Sequence, residues 1–215
     1  MKCYLIMGAP GAGKGTQASL IENHFKVAHI STGDMFREAI SSKTPVGLLA
    51  KEYIDKGHLV PDDVTVKLVR ERIKQDDCKK GFILDGFPRT IPQAVALDEF
   101  LEEEKIELAG VINIETDDEI LISRIVGRRT CPVCGEAYHI VSNKPLREGI
   151  CNKCGSKLVQ RADDNEEVVK SRLDVYHNET APILDFYKKR DQVISIDGMQ
   201  DIEGVFNDIK DAWRN

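Results

Sequence analysis

No stretch of this 215-residue chain approaches the roughly 20 consecutive apolar residues that a membrane-spanning helix needs. There is no excess of positive charge either. Lys and Arg number 30 against 36 Asp and Glu, a net charge of −6, which argues against broad binding to nucleic acid or to acidic membrane surfaces. The chain has no low-complexity segment. Its first apolar run is short and ends in glycines rather than at a small-residue cleavage site, so no secretory signal is expected and a cytoplasmic location is. Disulfides are not expected there, and the six cysteines need another account. No His or Cys stands out as a nucleophile. What remains, 41% apolar and 31% charged, is the composition of an ordinary soluble domain, long enough for one core with small insertions.

The most informative stretch lies near the start. A short apolar run, Tyr4 to Met7, stops at Gly8, and Gly8, Gly13 and Lys14 fall on the spacing G-x-x-x-x-G-K, with Gly11 between them. A helix-like pattern follows through Gln17, Ala18, Leu20 and Ile21. In that strand–loop–helix context, glycines let several backbone N–H groups point into one hollow. The new helix adds its positive dipole end, and Lys14 adds a mobile charge for outer phosphates. An ordinary Gly-rich turn is the plainer alternative. Gly15 stands where such loops place Ser or Thr, and a hydroxyl follows only at Thr16, which argues against direct Mg²⁺ ligation by a loop hydroxyl.

Hydrophobic patterning gives the rest of the architecture. Strands are expected at 3–7, 27–30, 82–85, 110–114 and 193–196, alternating with helices. Between 31 and 60 the pattern is one of short helices, broken at Pro45 and Gly47 and again at 56–62, where a simple βα unit would need only one helix. A helix is expected from Asp118 to Arg128, another after Asp163 and Asp164, which read as its caps and as arginine partners rather than catalysts, and an amphipathic one from Ile202 to Trp213. The expected fold class is α/β, with a five-stranded parallel sheet flanked by helices. Ligands collect at strand C-terminal ends in such sheets. Lys14, Arg37, Asp85 and Arg89 all follow strand ends, so they should face one cleft. Taken singly, each arginine could equally be a surface or ion-pair residue, and Asp85 could be a turn former before Gly86.

Residues 129–160 lose helical periodicity and contain Cys131-Pro-Val-Cys134-Gly and Cys151-Asn-Lys-Cys154-Gly. Two such knuckles at this spacing form a strong Zn²⁺ signature. Four thiolates would close the tetrahedron and leave no place for water, so the metal would be structural. A redox pair or unpaired buried thiols are the alternatives; iron also occupies such sites. His139 could compete as a ligand but is not needed. The five histidines read otherwise as packing or surface residues.

Gly8-Ala-Pro-Gly-Ala-Gly-Lys-Gly-Thr-Gln17, Ser31-Thr-Gly-Asp-Met-Phe-Arg37, Asp85-Gly-Phe-Pro-Arg-Thr90 and Gln160-Arg-Ala-Asp-Asp164 together resemble the adenylate kinases, of the bacterial long-lid type with a zinc-binding lid. The resemblance runs essentially end to end. It implies ATP·Mg²⁺ + AMP ⇌ 2 ADP on a P-loop kinase core of residues 1–30, 61–126 and 165–215. A helical AMP-binding insertion would cover 31–60 and a zinc-ribbon-like lid 127–164. It implies catalytic roles for Lys14, Asp85, Arg89, Arg128, Arg161 and Arg172, with Asp85 holding Mg²⁺ through water. ATP would meet Gly11, Ala12, Gly13, Lys14, Gly15, Thr16, Arg124, Arg128, Ala137, Tyr138 and Gln200. AMP would meet Thr32, Arg37, His58, Leu59, Val60, Gly86, Phe87, Pro88, Arg89, Gln93, Arg161 and Arg172. A monomer without nucleic-acid or membrane partners is implied.

The residue chemistry agrees with that reaction. An AMP phosphate oxygen is already anionic and needs no general base, so arginines rather than a nucleophile would be expected. Gln93 presents an acceptor and a donor in one plane, matching adenine's N1 and N6; an amide flip would suit guanine instead. Two alternatives compete. One is a P-loop ATPase whose zinc ribbon binds nucleic acid, disfavoured by the acidic charge and the lack of an acidic pair after the third strand. The other is a kinase for a different nucleoside monophosphate.

Overall fold

The computed structural model describes residues 1–213; Arg214 and Asn215, the last two of the expected core, lie outside the described residues. Strand β1 (Lys2–Met7) runs into the glycine loop, and helix α1 (Lys14–Phe25) starts from its end. Strand β2 (Ala28–Ser31) leads directly into α2 (Thr32–Ser41), where the Ser31 hydroxyl accepts the Asp34 N–H at 3.3 Å and caps the helix. Helix α3 (Pro45–Ile54) is capped in the same way by Thr44. The expected break at Pro45 and Gly47 falls instead just before Pro45, and Gly47 lies inside α3. The reason is space: a Cβ at Gly47 would sit 2.0 Å from the Ala39 carbonyl oxygen, so glycine lets α3 lie against α2.

Helix α4 (Asp62–Ile73) and a 3₁₀ turn lead to β3 (Phe82–Asp85). Helix α5 (Ile91–Glu103) is capped by Thr90. Strand β4 (Glu107–Glu115) and helix α6 (Asp118–Val126) follow. Arg128, expected at the end of that helix, instead opens β5 (Arg128–Thr130), which pairs antiparallel with β6 (Ala137–His139). Helix α7 (Glu166–Val175) runs through one π-helical turn into α8 (Pro182–Lys188). Its cap is Asn165, whose side chain accepts the Val168 N–H at 3.0 Å. Asp163 and Asp164 do not cap it, because both carboxylates are taken by arginines. Strand β7 (Val193–Asp197) and helix α9 (Ile202–Trp213) close the fold.

The main sheet has the order β2-β3-β1-β4-β7, all parallel. Both faces are covered, and the period of two along each strand splits the interior into two cores. Cys3, Leu5 and Met7 point with Phe82, Leu84 and Val111 into one. Tyr4, Ile6, Ile83, Ile112 and Ile114 point into the other. The last helix is fixed to the second core by Trp213, whose ring stacks on Tyr4 at 3.5 Å and on Phe25 at 4.4 Å between centroids. Among the described residues no helix is long and apolar enough to cross a membrane. Because every strand of the main sheet runs the same way, Met7, Ser31, Asp85, Glu115 and Asp197 end on one edge, and the loops beyond them share it.

Candidate functional site

The glycine loop sits on that edge against β4. Gly8 has φ +140°, and a Cβ there would meet the Ile114 carbonyl oxygen at 2.6 Å, so the turn requires glycine. Lys14 folds back into its own loop, donating to the carbonyls of Gly8 at 2.7 Å and Ala9 at 2.9 Å. Burial lowers its pKa to about 8; Asp85 opposes this, and Arg89, Arg172 and Arg128 reinforce it. Asp85 ends β3, where Gly15 faces it closely enough that a Cβ there would lie 3.6 Å from Oδ2. Burial works to raise the Asp85 carboxyl, but the His29 hydrogen bond, the His29 charge and Lys14 outweigh it and hold it below its ordinary value. The contact is His29 Nε2 to Asp85 Oδ2 at 3.4 Å, both side chains only 12% exposed. The reading of His29 as an ordinary histidine therefore gives way to one in which it orients a carboxylate at the site.

Five arginines come in around the site, four of them beside a carboxylate. Arg37 on α2 donates to Asp34 at 2.6 Å, and Arg161 approaches the same carboxylate at 3.8 Å. Arg172 on α7 donates to Asp163 at 2.8 Å. Arg128 grips Asp164 with two nitrogens, through Nε at 2.9 Å and through Nη2. Asp164 is fully buried and also has Arg172 at 3.7 Å, so removing Arg128 would cost it both hydrogen bonds and leave its charge only partly compensated, a loss of about 3 kcal/mol. Arg89 is tied by its Nε to the Gly86 carbonyl at 2.8 Å. Burial, then repulsion from Arg37 and Arg128, lowers Arg161 to about 10. Burial also lowers Arg172 to about 10, against the pull of Asp163. Both stay charged at neutral pH. Lys14, Arg37, Arg89, Arg128, Arg161 and Arg172 outnumber Asp34, Asp85, Asp163 and Asp164, so the hollow has a net need for anions.

Below the arginines lies an open pocket, about 570 Å³ counting its mouth and the open solvent within it. The expected residues Thr32, Arg37, His58, Leu59, Val60, Gly86, Arg89, Gln93 and Arg172 line it. Gly33, Phe36, Ile54, Gly57, Thr65 and Asp163 line it as well and were not expected. Phe87 and Pro88 are buried, with the Phe87 ring in the first core cluster, which leaves main chain at that point. The Thr32 hydroxyl donates to the Gly86 carbonyl at 2.8 Å. Gln93 does not cap its helix. Its Oε1 accepts the Arg89 backbone N–H at 2.8 Å, and its Nε2 donates to Asp62 Oδ1 at 2.7 Å.

The residues expected around a second nucleotide lie apart from this pocket. Arg124 donates to the Gly198 carbonyl at 3.1 Å, just before Gln200, whose own side chain is spent on Asp197 and Asp208. Ala137 and Tyr138 lie on β6. The Tyr138 ring turns inward: its hydroxyl accepts the Asn152 N–H at 2.8 Å and lies 3.5 Å from Cys151 Sγ. Gly11, Ala12, Gly13, Gly15 and Thr16 belong to the loop and the first turn of α1.

The four knuckle cysteines bring their sulfurs within 4.8 Å of one another. Cys131 and Cys154 are 3.3 Å apart and Cys134 and Cys151 3.5 Å, close to the ~3.8 Å edge of a tetrahedron with ~2.3 Å Zn–S bonds. The glycine after each second Cys turns the chain under the metal position, at φ +74° for Gly135 and +75° for Gly155. Each returns its N–H at 3.0 Å to the first Cys carbonyl. The donor set fits a closed tetrahedral ion and leaves no open position for chemistry. His139 is not among the sulfurs; its Nδ1 accepts the Val141 and Ser142 N–H groups.

A family model described as adenylate kinase matches residues 6–192 of this chain. The adenylate kinase of Carboxydothermus hydrogenoformans is 58% identical over 208 residues, 97% of this chain and 97% of that one. That of Caldanaerobacter subterraneus subsp. tengcongensis is 54% identical, covering 97% and 94%, and that of Bacillus subtilis 55% identical, covering 96% and 95%.

Proposed function

The chain belongs to the adenylate kinase family, and from that premise we propose how its own residues perform the reaction ATP + AMP ⇌ 2 ADP. It is a nucleoside monophosphate kinase, an ATP:AMP phosphotransferase. The observation that best supports the residue assignment is the set of six cationic side chains converging between the glycine loop and the pocket under α2 and α3.

In this reading Lys14 and the N–H groups of Gly11 to Thr16 hold the ATP phosphates. Lys14 leaves the Gly8 and Ala9 carbonyls to do so. Arg37 and Arg89 hold the AMP phosphate, while Arg128, Arg161 and Arg172 surround the moving phosphoryl. Arg124 and the chain near Gln200, with Ala137 and Tyr138 through their main chain, meet the ATP adenine. The carboxylates Asp34, Asp163 and Asp164 keep the guanidinium forks pointed before the ligand arrives, so little reorganisation is left for the reaction itself. Adenylate kinases use Mg²⁺ with ATP, and that ion spreads the charge of the transferring phosphates. Asp85, ionised and steadied by His29, would hold it through water.

The pocket under α2 and α3 is the AMP site, with the base between Phe36, Ile54 and the main chain of His58, Leu59 and Val60. Thr32 and Gln93 are its polar contacts. Losing a buried hydrogen bond there costs about 1–3 kcal/mol, a tenfold to hundredfold preference. A coupled assay of ATP with AMP, GMP, CMP and UMP tests this reading. ADP should form fastest with AMP; GMP or CMP matching it would refute the assignment.

Residues 31–60 would then move as the AMP-binding insertion and 127–164 as the lid, against a core of the remainder. The cysteine cluster would hold a structural zinc, compensating for how little core the lid has. Cys154→Ser should lower the melting temperature more than it lowers the rate at low temperature. Metal-free protein with unaltered melting on chelation would contradict that. The chain is taken to act as a cytoplasmic monomer.

A further inference from the structure

Asp62 stands at the first residue of α4, where the segment leaving α3 rejoins the sheet-bearing part of the chain. Nothing in the reaction chemistry calls for it. Both of its oxygens are nevertheless engaged at the acceptor pocket. Oδ1 accepts from Gln93 Nε2 at 2.7 Å, and Oδ2 accepts from the Thr90 hydroxyl at 3.0 Å. Thr90 is itself fixed, because its oxygen accepts the Gln93 backbone N–H at 3.2 Å and caps α5. Gln93 is 1% exposed and has a second partner, the Arg89 backbone N–H, on its Oε1 at 2.8 Å.

These partners have one-way chemistry. A carboxylate only accepts, and a backbone N–H only donates. The Gln93 amide therefore has one orientation that satisfies both. Flipped, its Oε1 would face the Asp62 carboxylate and its Nε2 would face the Arg89 N–H, losing both bonds to like-for-like repulsion. In the fixed orientation one N–H and one oxygen lone pair remain. Adenine offers an N1 acceptor and an N6–H donor to that pair. Guanine offers the reverse, an N1–H donor and an O6 acceptor, and a free amide would simply rotate to take it.

We propose that Asp62 is a specificity-determining residue: by locking the Gln93 amide in one orientation it makes the acceptor site select a 6-aminopurine monophosphate and reject a 6-oxopurine one. It acts through Gln93 and so is a positioning residue. The inference rests on the reading above that Gln93 faces the acceptor base.

The test measures kcat/KM for AMP and for GMP, with ATP as donor, on the full chain carrying Asp62→Asn, Asp62→Ala, Gln93→Leu and Asp62→Asn with Gln93→Leu. Asn offers a neutral amide that meets Gln93 in either orientation, and Ala removes the partner. The GMP-to-AMP ratio should rise about tenfold in both Asp62 variants, mainly through KM. Gln93→Leu alone should collapse the discrimination, and adding Asp62→Asn to it should change the ratio no further. If Asp62 merely ties α4 to α5, melting temperature falls and both acceptors lose equally with the ratio unchanged, which overturns the proposal. A Gln93→Leu variant that keeps the wild-type ratio removes the base-facing reading and this inference together. A ratio that responds to Gln93→Leu but to neither Asp62 variant removes this inference alone.

Discussion

Lys14→Met should fold normally and lose turnover by about two to three orders of magnitude, the scale of deleting one preorganised charge at a transferring phosphoryl. The substitution keeps an unbranched chain that is shorter by the one terminal atom and removes the ammonium. That ammonium donates to the Gly8 and Ala9 carbonyls, 2.7 and 2.9 Å away, and among the described residues no carboxylate is bonded to it. Its loss therefore breaks no ion pair, and the melting temperature should move little. Burial has already brought its pKa down to about 8. Bound phosphates would raise it again, so ATP binding near that pH should take up a proton, and calorimetry in buffers of different ionisation enthalpy reads that uptake. Near-normal turnover in a folded Lys14→Met would sink the phosphate-loop assignment.

Arg89→Ala should be nearly as severe, about a hundredfold or more in kcat/KM for AMP, with ATP affinity retained. Arg89 lines the pocket with Arg37 and is steered by the Gly86 carbonyl through Nε, which leaves its two terminal nitrogens for a phosphate. Burial, with Arg37 adding to it and Asp85 opposing, lowers its pKa. A phosphate would relieve that loss of solvent. Arg89→Lys should recover only a small part, because a point charge does not reproduce the planar fork. Titration calorimetry with AMP and with ATP on each variant separates the two sites; an equal loss of both nucleotides would mean that Arg89 supports the fold rather than one phosphate.

The parts of this molecule that are local in sequence were legible there. The glycine loop, the five strands of the main sheet and the paired cysteine knuckles are set by spacing and period, and the structure has them where those signals fall. Strand-end logic also brought Lys14, Arg37, Asp85 and Arg89 to one edge. What stayed hidden is pairwise and long-range. Gly47 looked like a helix breaker because only the packed neighbour, Ala39 on α2, shows that it is a spacer. Asp163 and Asp164 were legible as arginine partners, but which arginines they meet, Arg172 and Arg128, is set by the fold, and the cap also expected of them falls to Asn165. His29 gave no signal, being one residue on a short strand, until β2 paired with β3 and set it beside Asp85. Gln93 was noticed, yet its orientation depends on Asp62, thirty-one positions away. Tyr138 came in with the family resemblance, and its ring proves to belong to the interior of the cysteine segment.

The central claim is that this site moves a phosphoryl group between two nucleotides rather than to water. Incubating the protein with Mg²⁺ and ADP alone, and following the mixture by phosphorus NMR, tests it most directly. One molecule of ADP must then occupy each nucleotide position. The account predicts that ATP and AMP appear together in equal amounts, with no inorganic phosphate, until equilibrium is reached. ADP that stays unchanged, or that disappears with release of inorganic phosphate, would contradict it.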